Sequence, residues 1–264
     1  MPAIAPLTAA ADLPSPLLTL SMPGGSGDEC VAVELPVALT VNGISQAVML
    51  ATPADLEDFA LGFALNEGWI GSRQDLLDVE VLTQPEGIEL ALQVTAAREQ
   101  QLKARRRMLA GRTGCGLCGL ESLSQVSAVS PQPVQAPSLA PGALDRAVAA
   151  LPSAQVLNAH CGGLHAAAWC DATGALRFAR EDVGRHNALD KLCGARARRA
   201  EPAGEGFVLM SSRASFELVH KTAMAGVGLL ACVSAPSSLA IETAQKLGLQ
   251  LWAFVREGRA TRYA

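Results

Sequence analysis

The sequence has 264 residues, which is enough for one large domain or two smaller ones with a sizeable core. Half of the residues are hydrophobic, and only 4% are aromatic. The formal net charge of −4 gives no indication of nucleic acid or an anionic membrane surface as a partner.

The seven cysteines and the N-terminal segment indicate the compartment. An odd number of cysteines, scattered over a chain of this length, argues against a secreted disulfide framework. Residues 1–27 are rich in Pro, Ala, Gly and Ser, and they make a poor signal peptide and a poor membrane span. We therefore expect a cytoplasmic protein whose first 27 residues form a flexible lead-in.

Residues 28–100 are predicted to form a small α+β domain. Alternating side chains on both sides of Asn42-Gly43 favour a hairpin with a type I′ turn. Thr52-Pro53 then predicts a helix start, with Thr52 as the cap and with Asp55 and Asp58 near the positive end of the helix dipole. A second pair of strands near 79–82 and 88–94 completes this unit.

Residues 101–137 show no periodicity and are predicted to form a mobile loop. The loop begins with a basic run at 103–107 and contains the only closely spaced cysteine pair of the sequence, Cys115 and Cys118, among several glycines. Loops of this length inside a compact protein are usually functional or disordered. We interpret this one as functional.

Residues 138–264 alternate between strands and helices, which indicates a largely parallel sheet covered on both faces. The sequence thus predicts an α/β fold (α+β overall), with a larger C-terminal domain and a small N-terminal one. Ligands of such sheets gather at the carboxyl ends of the strands.

The pair Cys115 and Cys118 has two interpretations. Together with a histidine such as His160 or His165 it would form a structural zinc site. Alternatively, one cysteine is a reactive thiolate on a flexible tether, favoured by the nearby cations, that accepts sulfur and transfers it. A zinc deaminase is disfavoured, because no histidine begins the His-x-Glu motif that this chemistry requires.

Three segments that follow predicted strands, at 184–187, 211–215 and 234–238, place donors at helix starts. Each is consistent with ordinary capping, and together they are also consistent with a site for a phosphate-bearing ligand. The run FVREGR at 254–259 ends the last strand. Its arginines suit phosphate, although a charged C-terminal turn is the better explanation of the run taken alone.

Several of these motifs, in this order, resemble the formate dehydrogenase accessory sulfurtransferase family, FdhD. The matching runs are TGCGLCG (113–119), GGLHAAAW (162–169), REDVGRHNALDK (180–191), SSRASFELVHKTAMAG (211–226), SAPSSLAIETA (234–244) and FVREGR (254–259), together with TPADLEDFALGFALNEG (52–68). The resemblance covers the chain from about residue 30 to its end.

The resemblance implies a sulfurtransferase that takes persulfide sulfur from a cysteine desulfurase. Its acceptor would be the molybdenum bis(molybdopterin guanine dinucleotide) cofactor of formate dehydrogenase. Cys115 would carry the persulfide, with Cys118 auxiliary, and Phe254, Val255, Arg256, Glu257, Gly258 and Arg259 would bind the guanine nucleotide. A cytidine deaminase-like three-layer domain and a homodimer are also implied, with no permanent metal. The alternative is a zinc-stabilised, cofactor-binding chaperone without covalent sulfur chemistry.

Overall fold

The protein is described by a computed structural model that covers residues 13–21, 27–110 and 131–264. The strands are β1 (Leu17–Ser21), β2 (Asp28–Ala32), β3 (Leu35–Val41), β4 (Ile44–Ala51), β5 (Leu76–Gln84), β6 (Gly87–Val94), β7 (His165–Asp171), β8 (Leu176–Asp182), β9 (Gly206–Met210), β10 (Leu229–Cys232), β11 (Gln250–Arg256) and β12 (Arg259–Arg262). The helices are α1 (Leu56–Asn66), α2 (Ala96–Ala110), α3 (Ala143–Ala154), α4 (Asn158–Cys161), α5 (Arg185–Arg199), α6 (Phe216–Met224) and α7 (Ser238–Leu247).

The N-terminal sheet has four strands in the order β4-β3-β6-β5. The predicted hairpin is confirmed, since β3 and β4 are antiparallel and both Asn42 (φ 47°) and Gly43 (φ 77°) have the positive φ of a type I′ turn. One face of the sheet packs against helix α1, with Phe59 and Phe63 of the helix in the same apolar cluster as Leu90. The helix stops just before Gly68, whose φ of 67° marks the end of the last turn.

The predicted cap of helix α1 is wrong. The helix begins at Leu56, and Asp55 precedes it in the left-handed conformation without a side-chain cap. Thr52 is buried, and its hydroxyl accepts a hydrogen bond from the backbone N–H of Val183 at 3.2 Å. Asp58 faces Arg180 of the C-terminal sheet at 2.7 Å. Thr52 and Asp58, which local rules assign to the helix start, thus bind residues of the C-terminal sheet instead.

Two predicted irregular segments contain regular structure. Strand β1, which pairs with β2, lies inside the predicted lead-in, and helix α2 occupies the beginning of the predicted loop 101–137. Helix α2 has no apolar stripe that would reveal it in the sequence. It consists mostly of good helix formers, with a Glu99–Lys103 ion pair one turn apart and Leu102 against the N-terminal core.

The C-terminal sheet has six strands in the order β12-β11-β10-β9-β7-β8. Strands β9, β10 and β11 are parallel, whereas β7, β8 and β12 run antiparallel to their neighbours, so the sheet is mixed rather than largely parallel. Helices α5, α6 and α7 cover one face, and α3 covers the other. The result is a three-layer arrangement, and the predicted mixed α/β class is confirmed. Helix α3 continues through Pro152 to Ala154.

Helices α1 and α5 join the two sheets at a close crossing. A Cβ atom at Gly62 would lie 1.7 Å from the carbonyl oxygen of Asp190, and one at Gly194 would lie 1.9 Å from the carbonyl oxygen of Asp58. Only glycine permits two helix backbones to approach this closely. The crossing therefore fixes the position of α1 relative to α5.

Buried charges surround this crossing. Lys191 is completely buried, and its ammonium group lies 2.7 Å from Asp182 and donates to the carbonyl oxygen of Thr52 at 2.9 Å. Lys221 lies 2.8 Å from Asp190, which also accepts from Asn66 at 2.7 Å. Charges buried in this way are tolerated only when they are paired and hydrogen-bonded. Thr52 and Asn66 belong to the N-terminal unit, so polar groups of that unit satisfy buried charges of the C-terminal unit.

We predict that Gly62→Ala destabilises the protein, because the new methyl group collides with backbone atoms that cannot turn away. Overpacking typically costs about 1–3 kcal/mol, and we expect at least the upper end of that range. The measurement is urea unfolding. Gly204→Ala is the control, because a Cβ there meets nothing within 4 Å. Equal midpoints for the two variants would contradict the close crossing.

Candidate functional site

The candidate site lies along one edge of the C-terminal sheet. Strands β8, β9, β10 and β11 all end at this edge. Strand β7 begins there, because it runs antiparallel to β8 and β9 and its first residue, His165, is opposite Asp182. The loops after β9 and β10 are joined by a parallel bridge between Ala214 and Pro236. The backbone N–H of Phe254, in β11, donates to the carbonyl oxygen of Ser234 at 3.2 Å. The predicted gathering of helix starts at strand ends is therefore present.

The three helix starts at this edge differ. At α7 the hydroxyl of Ser237 accepts from the backbone N–H of Ala240 at 3.3 Å, which is ordinary capping. Helices α5 and α6 follow Gly184 and Ser215, and neither residue gives a side-chain cap. Two helix starts that lack a side-chain cap from the preceding residue thus lie at this edge, where the helix dipole favours an anion.

A cationic cluster, formed by His165, Arg185, His186 and Arg213, lies beside these two helix starts. Burial lowers the pKa of His165, and the charges of Arg185, His186 and Arg213 lower it further. Burial and the charge of Arg213 also lower the pKa of Arg185. The side chains repel one another, so the cluster costs folding energy that a bound anion would return.

Arg185 carries an unused donor in this cluster. Its Nε–H is buried, and no residue in the described part of the chain accepts its hydrogen. Buried donors without a partner are rare in proteins, and a common reason is a ligand that supplies the acceptor. Arg185 therefore suits an oxyanion such as phosphate.

His186 is held by helix α6. Its Nε2 lies 2.7 Å from the Glu217 carboxylate and 3.3 Å from the Ser215 hydroxyl. The hydrogen bond with His186 lowers the pKa of Glu217. Glu217 therefore offsets part of the positive charge and fixes one imidazole ring of the cluster.

The run 180–191 thus separates into two parts. Arg180, Asp182 and Lys191 bind partners in the N-terminal unit or within the core, which is a structural role. Arg185 and His186 lie at the edge where β8, β9, β10 and β11 end, which we call the ligand edge. His165 joins them because β7 starts at the same edge.

Residues 254–259 form the hairpin between β11 and β12. Phe254 has a φ of 51°, which is strained for a bulky residue, and the register shifts between Ala253 and Arg256. The side chain of Val255 is buried, whereas residues 256–259 are exposed. The guanidinium of Arg259 lies 5.8 Å from the Phe254 ring centroid. The hairpin contacts the loop before helix α7 through the N–H of Phe254, which donates to Ser234. That Arg256 and Arg259 bind phosphate near the helix starts stays a prediction.

Comparison with known proteins identifies the family. The sequence profile described as the FdhD/NarQ family matches residues 32–264. The chain belongs to the FdhD/NarQ family. It is 57% identical to the sulfur carrier protein FdhD of Variovorax paradoxus over 226 residues, covering 86% of this chain and 81% of that protein. It is 47% identical to the sulfur carrier protein FdhD of Bordetella parapertussis, covering 97% and 96% of the two chains.

A solved structure shares the fold of this family member. It is the crystal structure of a candidate formate dehydrogenase accessory protein from Desulfotalea psychrophila, with a TM-score of 0.71 and 23% identity, covering 94% of each chain. The match covers 94% of this chain, so it includes residues of both sheets.

The predicted sulfur-carrying residues, Cys115 and Cys118, lie outside the described residues. Among the cysteines that the structure describes, Cys170, Cys193 and Cys232 are buried. Burial raises the pKa of Cys170 to about 12 and that of Cys193 to about 11, and it raises the pKa of Cys232 as well. These three thiols are therefore protonated and unreactive at neutral pH.

Within residues 13–21, 27–110 and 131–264, no three His, Cys, Asp or Glu side chains are grouped so that they could hold a metal ion. No helix in those ranges has the length and apolar character needed to cross a bilayer.

We predict that Arg213→Gln weakens the binding of inorganic pyrophosphate by about tenfold, the usual loss for one charge-assisted hydrogen bond. The same variant should raise the pKa of His165, because removal of a neighbouring cation favours the imidazolium form. Calorimetry measures the first effect and an NMR titration of the histidine ring protons measures the second. Arg177→Gln makes the same charge change beside Asp171, at the opposite end of strands β7 and β8, and should alter neither. Unchanged pyrophosphate binding in Arg213→Gln would remove the cluster from any anion site.

Proposed function

We propose that this protein is a sulfurtransferase that carries sulfur as a persulfide on Cys115. The sulfur comes from a cysteine desulfurase and goes to the molybdenum bis(molybdopterin guanine dinucleotide) cofactor, before that cofactor serves formate dehydrogenase. The names of the relatives, which are sulfur carrier proteins, support the sulfur-carrying part of this proposal.

The observation that carries the proposal is the state of the thiols. Three of the five described cysteines are buried and held protonated, and Cys30 and Cys161 are half-buried without a cation paired to them in any described contact. Cys115 and Cys118, by contrast, follow the basic run at 103–107 within a glycine-rich segment. Nearby cations favour thiolate, and glycines leave room for a partner protein's active site.

The loading of sulfur onto Cys115 needs no redox cofactor. The Cys115 thiolate attacks the outer sulfur of the desulfurase persulfide, a new S–S bond forms on Cys115, and the bond within the donor persulfide breaks to release the donor thiolate. Cys118 can assist as a neighbouring thiol. The electron count is unchanged, so the product is a persulfide on this chain and a reduced donor.

The acceptor cofactor is a dinucleotide with diphosphate groups, and the ligand edge suits such a group. The buried donor of Arg185, the charge of Arg213 and two uncapped helix starts provide the binding groups for a diphosphate. Residues Phe254, Val255, Arg256, Glu257, Gly258 and Arg259 are proposed to bind the guanine nucleotide portion.

The partners follow from this reaction. They are a cysteine desulfurase as the donor and formate dehydrogenase as the recipient of the matured cofactor. A homodimer in the cytoplasm is proposed as the working form.

We predict that Cys115→Ser abolishes sulfur loading, because a serine oxygen forms no persulfide and serine nearly preserves the size of the side chain. The protein is incubated with a cysteine desulfurase and cysteine, and mass spectrometry locates the added sulfur. Cys161→Ser is the control and should load normally, whereas Cys118→Ser should retain part of the loading. Formate dehydrogenase activity in cells without their own accessory protein should follow the same order.

Two results would count against the carrier role. Full sulfur loading and full formate dehydrogenase activity with Cys115→Ser would refute it. Stoichiometric, tightly bound zinc, lost together with the fold in Cys115→Ser, would favour the zinc-stabilised chaperone instead.

We further predict that Arg259→Ala weakens guanosine diphosphate binding roughly ten- to hundredfold, as expected for loss of a charge-assisted contact with phosphate. The measurement is a calorimetric titration. Arg262→Ala, in the same strand but outside 254–259, is the control. Equal affinities of Arg259→Ala and the unchanged protein would remove this hairpin from the nucleotide site.

A further inference from the structure

The N-terminal sheet has an outer face, on the side opposite helix α1. Val37 and Leu39 of β3 are buried in the apolar cluster that includes Phe59 of α1. Successive residues of a strand point to opposite sides of the sheet, so the residues that alternate with the buried ones face outward. The paired registers carry this alternation across all four strands. We call the surface formed by these outward residues of β3, β4, β5 and β6 the outer face.

Three large apolar side chains of the outer face are exposed. Val48 is 63% exposed, Leu50 is 56% exposed and Leu82 is 39% exposed. Val48 and Leu50 lie two residues apart on β4, which is an edge strand of this sheet. Single exposed apolar residues are common, but natural sheets usually avoid an apolar pair on an edge strand, because it invites another chain to bind. The pair is therefore a candidate contact surface.

The charges of the outer face are all negative. Strands β3 to β6 contain Asp78, Glu80 and Glu89 and no Lys, Arg or His, and all three carboxylates belong to outward positions. Two copies of this face laid against each other would pair no opposite charges, and nucleic acid or an anionic membrane would be repelled. The complementary surface is that of a different protein, with apolar residues next to Lys or Arg.

The two ends of β4 border the two places between which sulfur has to pass. At one end, Gln46 lines a small cavity together with Lys103 of helix α2, the helix that precedes Cys115 in the chain. At the other end, the carbonyl oxygen of Leu50 accepts a hydrogen bond from Asn187 at 2.8 Å. Asn187 lies in the first turn of α5, at the ligand edge. A protein bound to the outer face is therefore next to α2 and to the ligand edge.

We infer that the outer face is the docking surface for the sulfur donor, a protein whose contact surface combines apolar residues with Lys or Arg. This inference rests on the proposed function and names the surface that recognises the donor. Val48 and Leu50 form the apolar centre of the contact, and Asp78, Glu80 and Glu89 attract the basic residues beside it. Apolar contacts at the centre of an interface mainly set how fast it dissociates, whereas charges around it mainly set how fast it forms.

The test measures the binding kinetics of a purified cysteine desulfurase on the full-length protein. We expect Val48→Gln/Leu50→Gln to bind at least about tenfold more weakly, because it removes the exposed apolar pair. Glu80→Lys should slow association, and the difference should shrink at high salt. Leu239→Gln, which removes an exposed apolar side chain of the C-terminal unit, and Glu205→Lys, which reverses an exposed charge there, are the matched controls. Neither control should change the binding.

Loading with a small molecule separates docking from thiol chemistry. Glutathione persulfide needs no docked protein, so it should load sulfur onto Cys115 equally fast in Val48→Gln/Leu50→Gln and in the unchanged protein. Loading by the desulfurase should be slower in the double variant. Because both substituted side chains are exposed, the urea unfolding midpoint should stay the same.

The inference and the proposed function can fail separately. Unchanged desulfurase binding in both Val48→Gln/Leu50→Gln and Glu80→Lys would overturn the docking surface and leave the proposed function intact. So would a double variant that loses a dimer in light scattering and keeps its affinity for the desulfurase, since a second copy would then cover the face. If the unchanged protein neither binds the desulfurase nor takes sulfur from it, the donor part of the proposed function fails together with this inference.

Discussion

The structure depends on the close crossing of helices α1 and α5. Gly62 and Gly194 let the two backbones meet where any β-carbon would collide with a carbonyl group of the opposite helix. The buried ammonium group of Lys191 then reaches both Asp182 of its own sheet and the backbone of Thr52 from the other unit. Because an unpaired buried charge is costly, the two units stabilise each other and form one structure.

This junction also positions the ligand edge. Asp182 binds the N–H groups of Thr52 and Gly184, and Gly184 directly precedes helix α5. The first turn of α5 then presents Arg185 and His186 at the ends of the strands. Asp182, which joins the two units, is thus close in sequence to Arg185 and His186, which place positive charge at the ligand edge. Stability gained at the junction offsets the repulsion in the cationic cluster.

Two local strains mark where ligands are proposed to bind. The cationic cluster keeps like charges together with one buried donor unused, and Phe254 holds a backbone conformation that bulky residues rarely adopt. Neither feature improves folding. The diphosphate that we propose as a ligand would supply negative charge to the first feature, and the second lies in the hairpin proposed to bind the guanine nucleotide.

The sequence by itself determined the strands and most helices of the C-terminal sheet, the Asn42-Gly43 hairpin and the family motifs, because these depend on local periodicity and turn chemistry. It did not reveal helix α2, which lacks an apolar stripe, or the true start of α1, where Thr52 and Asp58 bind residues more than a hundred positions away. Only the tertiary structure decided which charges of the run 180–191 are structural and which face the ligand edge. That division depends on the crossing of α1 and α5 and on the antiparallel direction of β7, and neither leaves a local signal in the sequence.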